Sequence, residues 1–276
     1  MRLAPDSDGI QSLLPTGAGM SSATPGVLLA GERVVMPDDN VTPSPTVPVL
    51  AYNVPNPRVA SYHHYQTGHI NQWGSSDVGA NVGSNANNSD DQHPMTCTYE
   101  TGTTAAGHIC LQAAGGNLLN IFSATSHLRI YDCVFMVPVL SNGTQAFNIR
   151  LGWSAVVAGA TTNGAYLEFD SNVSGVASFV TADTSVRTTT STGITIVAGT
   201  WYRLRIVATN ATQIDCYLVT ENTALPGTPT VTNTTNIPVG TTKGSQPVAM
   251  IEKNIGTTTS ELSMLYVVTG IDKLAA

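Results

Sequence analysis

The chain has 276 residues, of which only 29 are charged, 11 basic and 18 acidic, for a net charge of -7. Threonine supplies 37 residues and serine 22, so neutral hydroxyls take over surface work that charges usually do. With 42% apolar content this excludes a disordered polyampholyte and a coiled coil. It also excludes a phosphate-binding surface built on clustered Lys and Arg, so no nucleic-acid partner is expected.

The first 57 residues read as an extended arm. Seven of the 15 prolines fall in residues 1–50, and Pro55 and Pro57 follow. Proline lacks the N–H and pushes its predecessor into extended geometry, so Met36 to Pro48 cannot keep a ladder. One run, Val27 to Val35, has strand character. The start carries no apolar stretch behind a basic end, so no secretory leader is expected. No segment reaches the roughly 18 apolar residues of a membrane span.

From Arg58 onward, period-two alternation takes over, and residues 58–276 are expected to form one β-sandwich domain. Its opening run, Ser61 to Trp73, holds Tyr62, His63, His64, Tyr65 and Trp73. Rigid amphipathic rings of this kind are enriched in interfaces. The run therefore reads as a first strand, a subunit interface, a glycan contact or, less readily, a metal site. His63 and His64 are adjacent, so on a strand they face opposite sides. Asn85 to Asp91 is an oxygen-rich loop of the kind that donates to Ca²⁺, though its spacing matches no EF-hand.

Further strands are expected at 107–113, 127–139, 164–170, 176–181, 185–190, 193–198, 247–252 and 261–269. Phe147, Ile149, Leu151 and Trp153 point one way, with Asn148, Arg150 and Gly152 opposite. Tyr202, Leu204 and Ile206 point in, with Arg203 and Arg205 out. Thr209 to Thr212 is a hairpin-sized connection to the strand beginning at Gln213. No amphipathic helix is evident, so the fold class is all-β, a sandwich or jelly roll. Cys97, Cys110, Cys133 and Cys216 lack C-x-x-C spacing and read as small buried apolar side chains; a Cys97–Cys110 bridge stays open.

Glu168 and Asp170 share one strand face at i, i+2. That is the spacing of paired carboxylates in glycan hydrolysis. No further Glu follows, since Ser171, Asn172 and Val173 stand there. The pair is therefore expected to be a solvent-facing acidic pair without catalysis. No nucleophile elbow, P-loop or dinucleotide fingerprint occurs, so no cofactor is expected.

The order Gly164 to Asp170, Thr188 to Gly193, Gly199-Thr200-Trp201-Tyr202 to Ile206, Cys216-Tyr217-Leu218, Ile237-Pro238, Pro247 to Lys253, Gly256-Thr257 and a closing apolar strand resembles the concanavalin A-like jelly-roll domain of tailed-bacteriophage virion proteins. One departure is that Leu265-Tyr266 stands where that family's last strand commonly carries Asp. The resemblance implies a non-enzymatic virion structural protein. It would sit outside the head as a capsid decoration protein or short head fibre. The arm at 1–57 would bind the major capsid protein or other virion proteins. A homo-oligomer, with a trimer as the default ornament, is expected. The alternatives are a tail fibre or baseplate protein contacting host glycans, and a glycan-degrading jelly-roll enzyme.

Overall fold

A computed structural model describes residues 2–5, 11–14, 59–65, 73–85, 93, 96–113, 122, 127–170, 173–240 and 242–273. Within the arm, β1 (Arg2–Pro5) pairs antiparallel with β2 (Gln11–Leu14). The Val27 to Val35 run and the rest of 1–57 lie outside the described residues. The remaining strands are β3 (Val59–Tyr65), β4 (Trp73–Val78), β5 (Gly83–Asn85), β6 (Cys97–Glu100), β7 (His108–Ala113), β8 (His127–Met136), β9 (Ala146–Ser154) and β10 (Gly164–Asp170). After them come β11 (Val176–Asp183), β12 (Val186–Thr195), β13 (Trp201–Asn210), β14 (Gln213–Thr220), β15 (Val231–Asn233), β16 (Gln246–Ile255) and β17 (Glu261–Lys273).

These strands form two antiparallel layers. The first has seven strands in the order β12-β11-β10-β9-β16-β7-β4. The second has eight, counting β3, in the order β15-β14-β13-β8-β17-β6-β5, with β3 alongside the far half of β17. Late strands lie between early ones: β16 separates β9 from β7, and β17 separates β8 from β6. This long-range return is the jelly-roll connection.

The alternation read from the sequence builds the core. Phe147, Ile149, Leu151 and Trp153 of β9 face Tyr202, Leu204 and Ile206 of β13 and Tyr131, Cys133 and Phe135 of β8 in one cluster. Trp153 meets Phe122 and Tyr131 edge-on at 5.6 and 5.9 Å, a favoured arrangement of ring quadrupoles. Each such buried side chain contributes about 1.5–3 kcal/mol of transfer free energy. The Tyr131 hydroxyl donates to the Val248 carbonyl at 2.8 Å, a bond from one layer to the other. All four cysteines are buried free thiols. Burial pushes the thiols of Cys110, Cys133 and Cys216 up, which keeps them protonated and unreactive.

Two expectations are corrected. The stretches 185–190 and 193–198 are largely one strand, β12, because Gly193 bends it at φ +71° without ending it. Trp201, next to inward Tyr202, is half-buried, and its ring stacks on His93 at 4.3 Å. The face of β9 opposite the core is not solvent-facing, for Asn148 and Arg150 are 5% and 6% exposed. What covers that face defines the candidate site.

Candidate functional site

Glu168, predicted from the sequence, stands at the centre of a polar cluster on the outer face of the seven-stranded layer. On β10 it lies directly opposite Arg150 of β9, which in turn lies opposite Met250 of β16. Glu252, one pleat further along β16, completes the set. The Arg150 Nε donates to Glu168 Oε1 at 2.8 Å, and its Nη1 donates to Glu252 Oε2 at 3.2 Å. One guanidinium thus occupies the space between two carboxylates. The three side chains are only 7%, 15% and 22% exposed.

A loop closes over this cluster. The Arg150 Nη1 also donates to the Gly159 carbonyl at 2.7 Å, while the Gly159 N–H donates to Glu252 Oε2 at 2.9 Å. Gly159 has φ +69°, a conformation that favours glycine. The loop, residues 155–163, is closed at its base by Ala155 N–H to Asn163 carbonyl at 2.9 Å. Val157 packs on Cys110, Val248 and Met250, an apolar patch separate from the main core. The cover is therefore part apolar contact and part charge-assisted hydrogen bonding, the stronger kind.

Arg187 of β12 approaches Glu168 from the other side at 3.4 Å and donates to the Tyr166 hydroxyl, with its guanidinium 5.7 Å from the Tyr166 ring centre. Burial opposes the charge on Arg187, yet its bond to Tyr166 and the Glu168 carboxylate hold its pKa above the ordinary value. Burial and the same carboxylate push the Tyr166 phenol up. Asn148 adds a donor to Glu168 at 3.4 Å. Two guanidiniums and two carboxylates balance, and the cluster is neutral within itself.

This arrangement corrects the picture of Glu168 as a solvent-facing acid. It also differs from a glycan-cleaving pair. Such a site leaves room for a sugar between carboxyls about 5–5.5 Å apart. Here that room is filled by Arg150 and capped by Gly159. Asp170 lies half-buried at the end of β10, opposite Asn148. Sequence reading missed Arg150, Arg187 and Glu252 as partners; of the three it placed only Arg150, on the side of its strand opposite Phe147 and Ile149.

The opposite layer carries a second charged group on its outer face. Asp132 of β8 is 5% exposed and accepts from Arg203 Nη2 at 3.0 Å and from Arg205 Nε at 2.6 Å. Burial works to raise the Asp132 pKa, but the charges and hydrogen bonds of Arg205 and Arg203 outweigh it and hold the carboxyl below the usual carboxylate range.

The remaining predicted positions are not gathered into one site. Tyr62, His63, His64 and Tyr65 lie on β3, opposite Gly270, Thr269, Val268 and Val267 of β17. Trp73 opens β4 in the other layer, opposite Ala113. Of the oxygen-rich loop, Asn85 ends β5 and residues 86–91 lie outside the described residues. Among the described residues no group of three or more His, Cys, Asp or Glu side chains could hold a metal. No helix there is long and apolar enough to cross a membrane.

The fold is shared with several solved structures. A protein of unknown function, SO2946 from Shewanella oneidensis MR-1, superposes with a TM-score of 0.57 at 16% identity, over 78% of this chain and 87% of that one. Peanut lectin, solved with a nine-residue peptide, gives 0.52 at 7% identity, over 78% and 98%. An endo-beta-1,4-glucuronan lyase from the fungus Trichoderma reesei gives 0.46 at 12%, over 78% and 95%. No curated protein matches the chain in sequence. The two superpositions above 0.5, on SO2946 and on peanut lectin, establish the lectin-like jelly roll. Residues 92–267, well over half of the chain, match the model of the SO2946-like C-terminal domain, and the chain belongs to that family.

Proposed function

We propose that the protein is a non-enzymatic structural component of a tailed-bacteriophage particle, a capsid decoration protein or short head fibre. The observation that carries the non-catalytic part is the Arg150 guanidinium bonded to both Glu168 and Glu252 under the Gly159 loop. Acid–base work needs carboxyls that meet a substrate, and these meet an arginine. The virion part is supported by the order of turn and core residues from Gly164 to the closing strand. A hydroxyl-rich chain with few charges and a net charge of -7 suits the outside of a DNA-filled shell.

The test is quantitative mass spectrometry of purified particles from a host that carries the gene. Hundreds of copies per particle are expected, as head symmetry demands of a decoration protein. A few to dozens of copies assign the protein to the tail and favour contact with host glycans. Absence from particles overturns the proposal. So does glycan cleavage by the purified protein that Glu168→Gln abolishes.

A further inference from the structure

The chain contains two Asn-Gly steps, Asn142-Gly143 and Asn163-Gly164. A glycine has no Cβ to shield its backbone nitrogen, so that nitrogen can reach the side-chain amide of a preceding asparagine. The sequence treats the two steps alike; the fold does not. Asn163 sends its Oδ1 away from its own chain, to the Thr184 N–H at 3.0 Å. Gly164 is held in β10 between Ser154 of β9 and Ala182 of β11, and a Cβ there would lie 2.3 Å from the Trp153 carbonyl. Neither this amide nor the peptide after it is able to turn toward the other.

Asn142, in the 137–145 connection between β8 and β9, is arranged the other way. Its Oδ1 accepts from the Thr144 N–H at 2.9 Å, the Thr144 hydroxyl at 2.9 Å and the Gln145 N–H at 3.0 Å. The side-chain amide is thus folded over the Gly143 peptide, with its oxygen facing three donors. Donors aimed at an oxygen that gains negative charge accelerate acyl transfer. The Gly143 N–H and the Asn142 Nδ2 have no partner among the described residues, so nucleophile and leaving group are both free. Residues 142–144 are exposed, and a Cβ at Gly143 would meet nothing within 4 Å.

We propose that Asn142 is a self-modification site: in the folded protein it converts through a succinimide to aspartate and isoaspartate, while Asn163 does not. The Gly143 nitrogen gives its proton to hydroxide and attacks Asn142 Cγ. The new N–Cγ bond closes the succinimide ring, the Cγ–Nδ2 bond breaks, and Nδ2 takes a proton from water and leaves as ammonia. A second water opens the ring at either carbonyl. The product adds one negative charge to the net -7, and isoaspartate also inserts a methylene into the main chain. Asn142 and Gln145 exchange both backbone hydrogen bonds, at 2.8 and 3.2 Å, and Gln145 Oε1 accepts from the Thr258 N–H at 3.0 Å. Lengthening the chain at 142 breaks that exchange, so the change reaches the β16–β17 connection. Asn210-Ala211-Thr212 supplies an internal comparison. Its Oδ1 accepts from the Thr212 N–H and hydroxyl at 2.8 Å each, but Ala211 shields the attacking nitrogen. The site is independent of the virion reading.

The experiment is peptide mass spectrometry on the full folded chain held at mildly alkaline pH, with isoaspartate read by enzymatic methylation. Asn142 is expected to convert at least about tenfold faster than Asn163 and Asn210. In urea, where the fold is gone, Asn142 and Asn163 are expected to convert alike. Thr144→Val removes one donor from the Asn142 Oδ1 at an exposed position and is expected to slow conversion by up to about tenfold, the worth of one hydrogen bond. An intact Asn142 in the folded chain overturns the proposal. So does an Asn163 that keeps pace with it, a preference for Asn142 that survives in urea, or a rate that Thr144→Val leaves unchanged.

Discussion

The two outer faces of the sandwich carry opposite versions of one device. On the seven-stranded layer a cation, Arg150, is bonded to two anions; on the other an anion, Asp132, is bonded to two cations. The central group is buried in both. The flanking groups differ: Glu168 and Glu252 are 15% and 22% exposed, whereas Arg203 and Arg205 are 23% and 29% exposed. The first cluster is also roofed by the 155–163 loop. A buried charge that loses its partner is costly, and a partner that can reach water is not. The two clusters should therefore respond unequally to the loss of their centres.

The largest effect is expected for Arg150→Ala. It leaves Glu168 with only the longer contacts to Arg187 and Asn148 and Glu252 with only the Gly159 N–H, and it removes one of the loop's anchors, for a loss of about 3–5 kcal/mol in urea unfolding. Amides of 155–163 should also exchange faster. A loss under about 1 kcal/mol would show that water reaches Glu168 and Glu252, and would reopen the catalytic reading. Asp132→Asn should cost about 2 kcal/mol at neutral pH, since Arg203 and Arg205 can turn to solvent. Its sign with pH is fixed. The Asp132 pKa is lowered in the fold, so its contribution is present above the ordinary carboxylate value of 3.8 and is lost as pH falls through the native one. Wild type and Asp132→Asn should converge in acid. Divergence there would mean that the carboxylate is not the source of the difference. Trp201→Ala should cost least, about 1 kcal/mol, because it removes a half-buried ring stacked on His93 rather than a core side chain. A loss of about 3–5 kcal/mol would place Trp201 in the core.

The faces of these strands were legible in the sequence, and their covers were not. Gly164 to Asp170 was readable to the residue, because alternation and flanking turns both mark it. The same alternation put Arg150 on the outward side of β9. It could not show that this side is closed. Arg150 is 18 residues from Glu168 but 102 from Glu252, and only the return of β16 beside β9 brings that second carboxylate within reach. Trp201 obeys the same alternation. It starts the strand that buries Tyr202, Leu204 and Ile206, but its own parity is that of Arg203 and Arg205. Parity, not hydrophobicity, decided its side.

The phenol of Tyr131 bears on how the body carries load. Two sheets held by greasy contacts alone can slide past one another like cards. A hydrogen bond from Tyr131 to the Val248 carbonyl at mid-body, and others from Thr188 and Thr190 at the rim, pin their offset. Pulling along the strands must break these pins before the sheets shear.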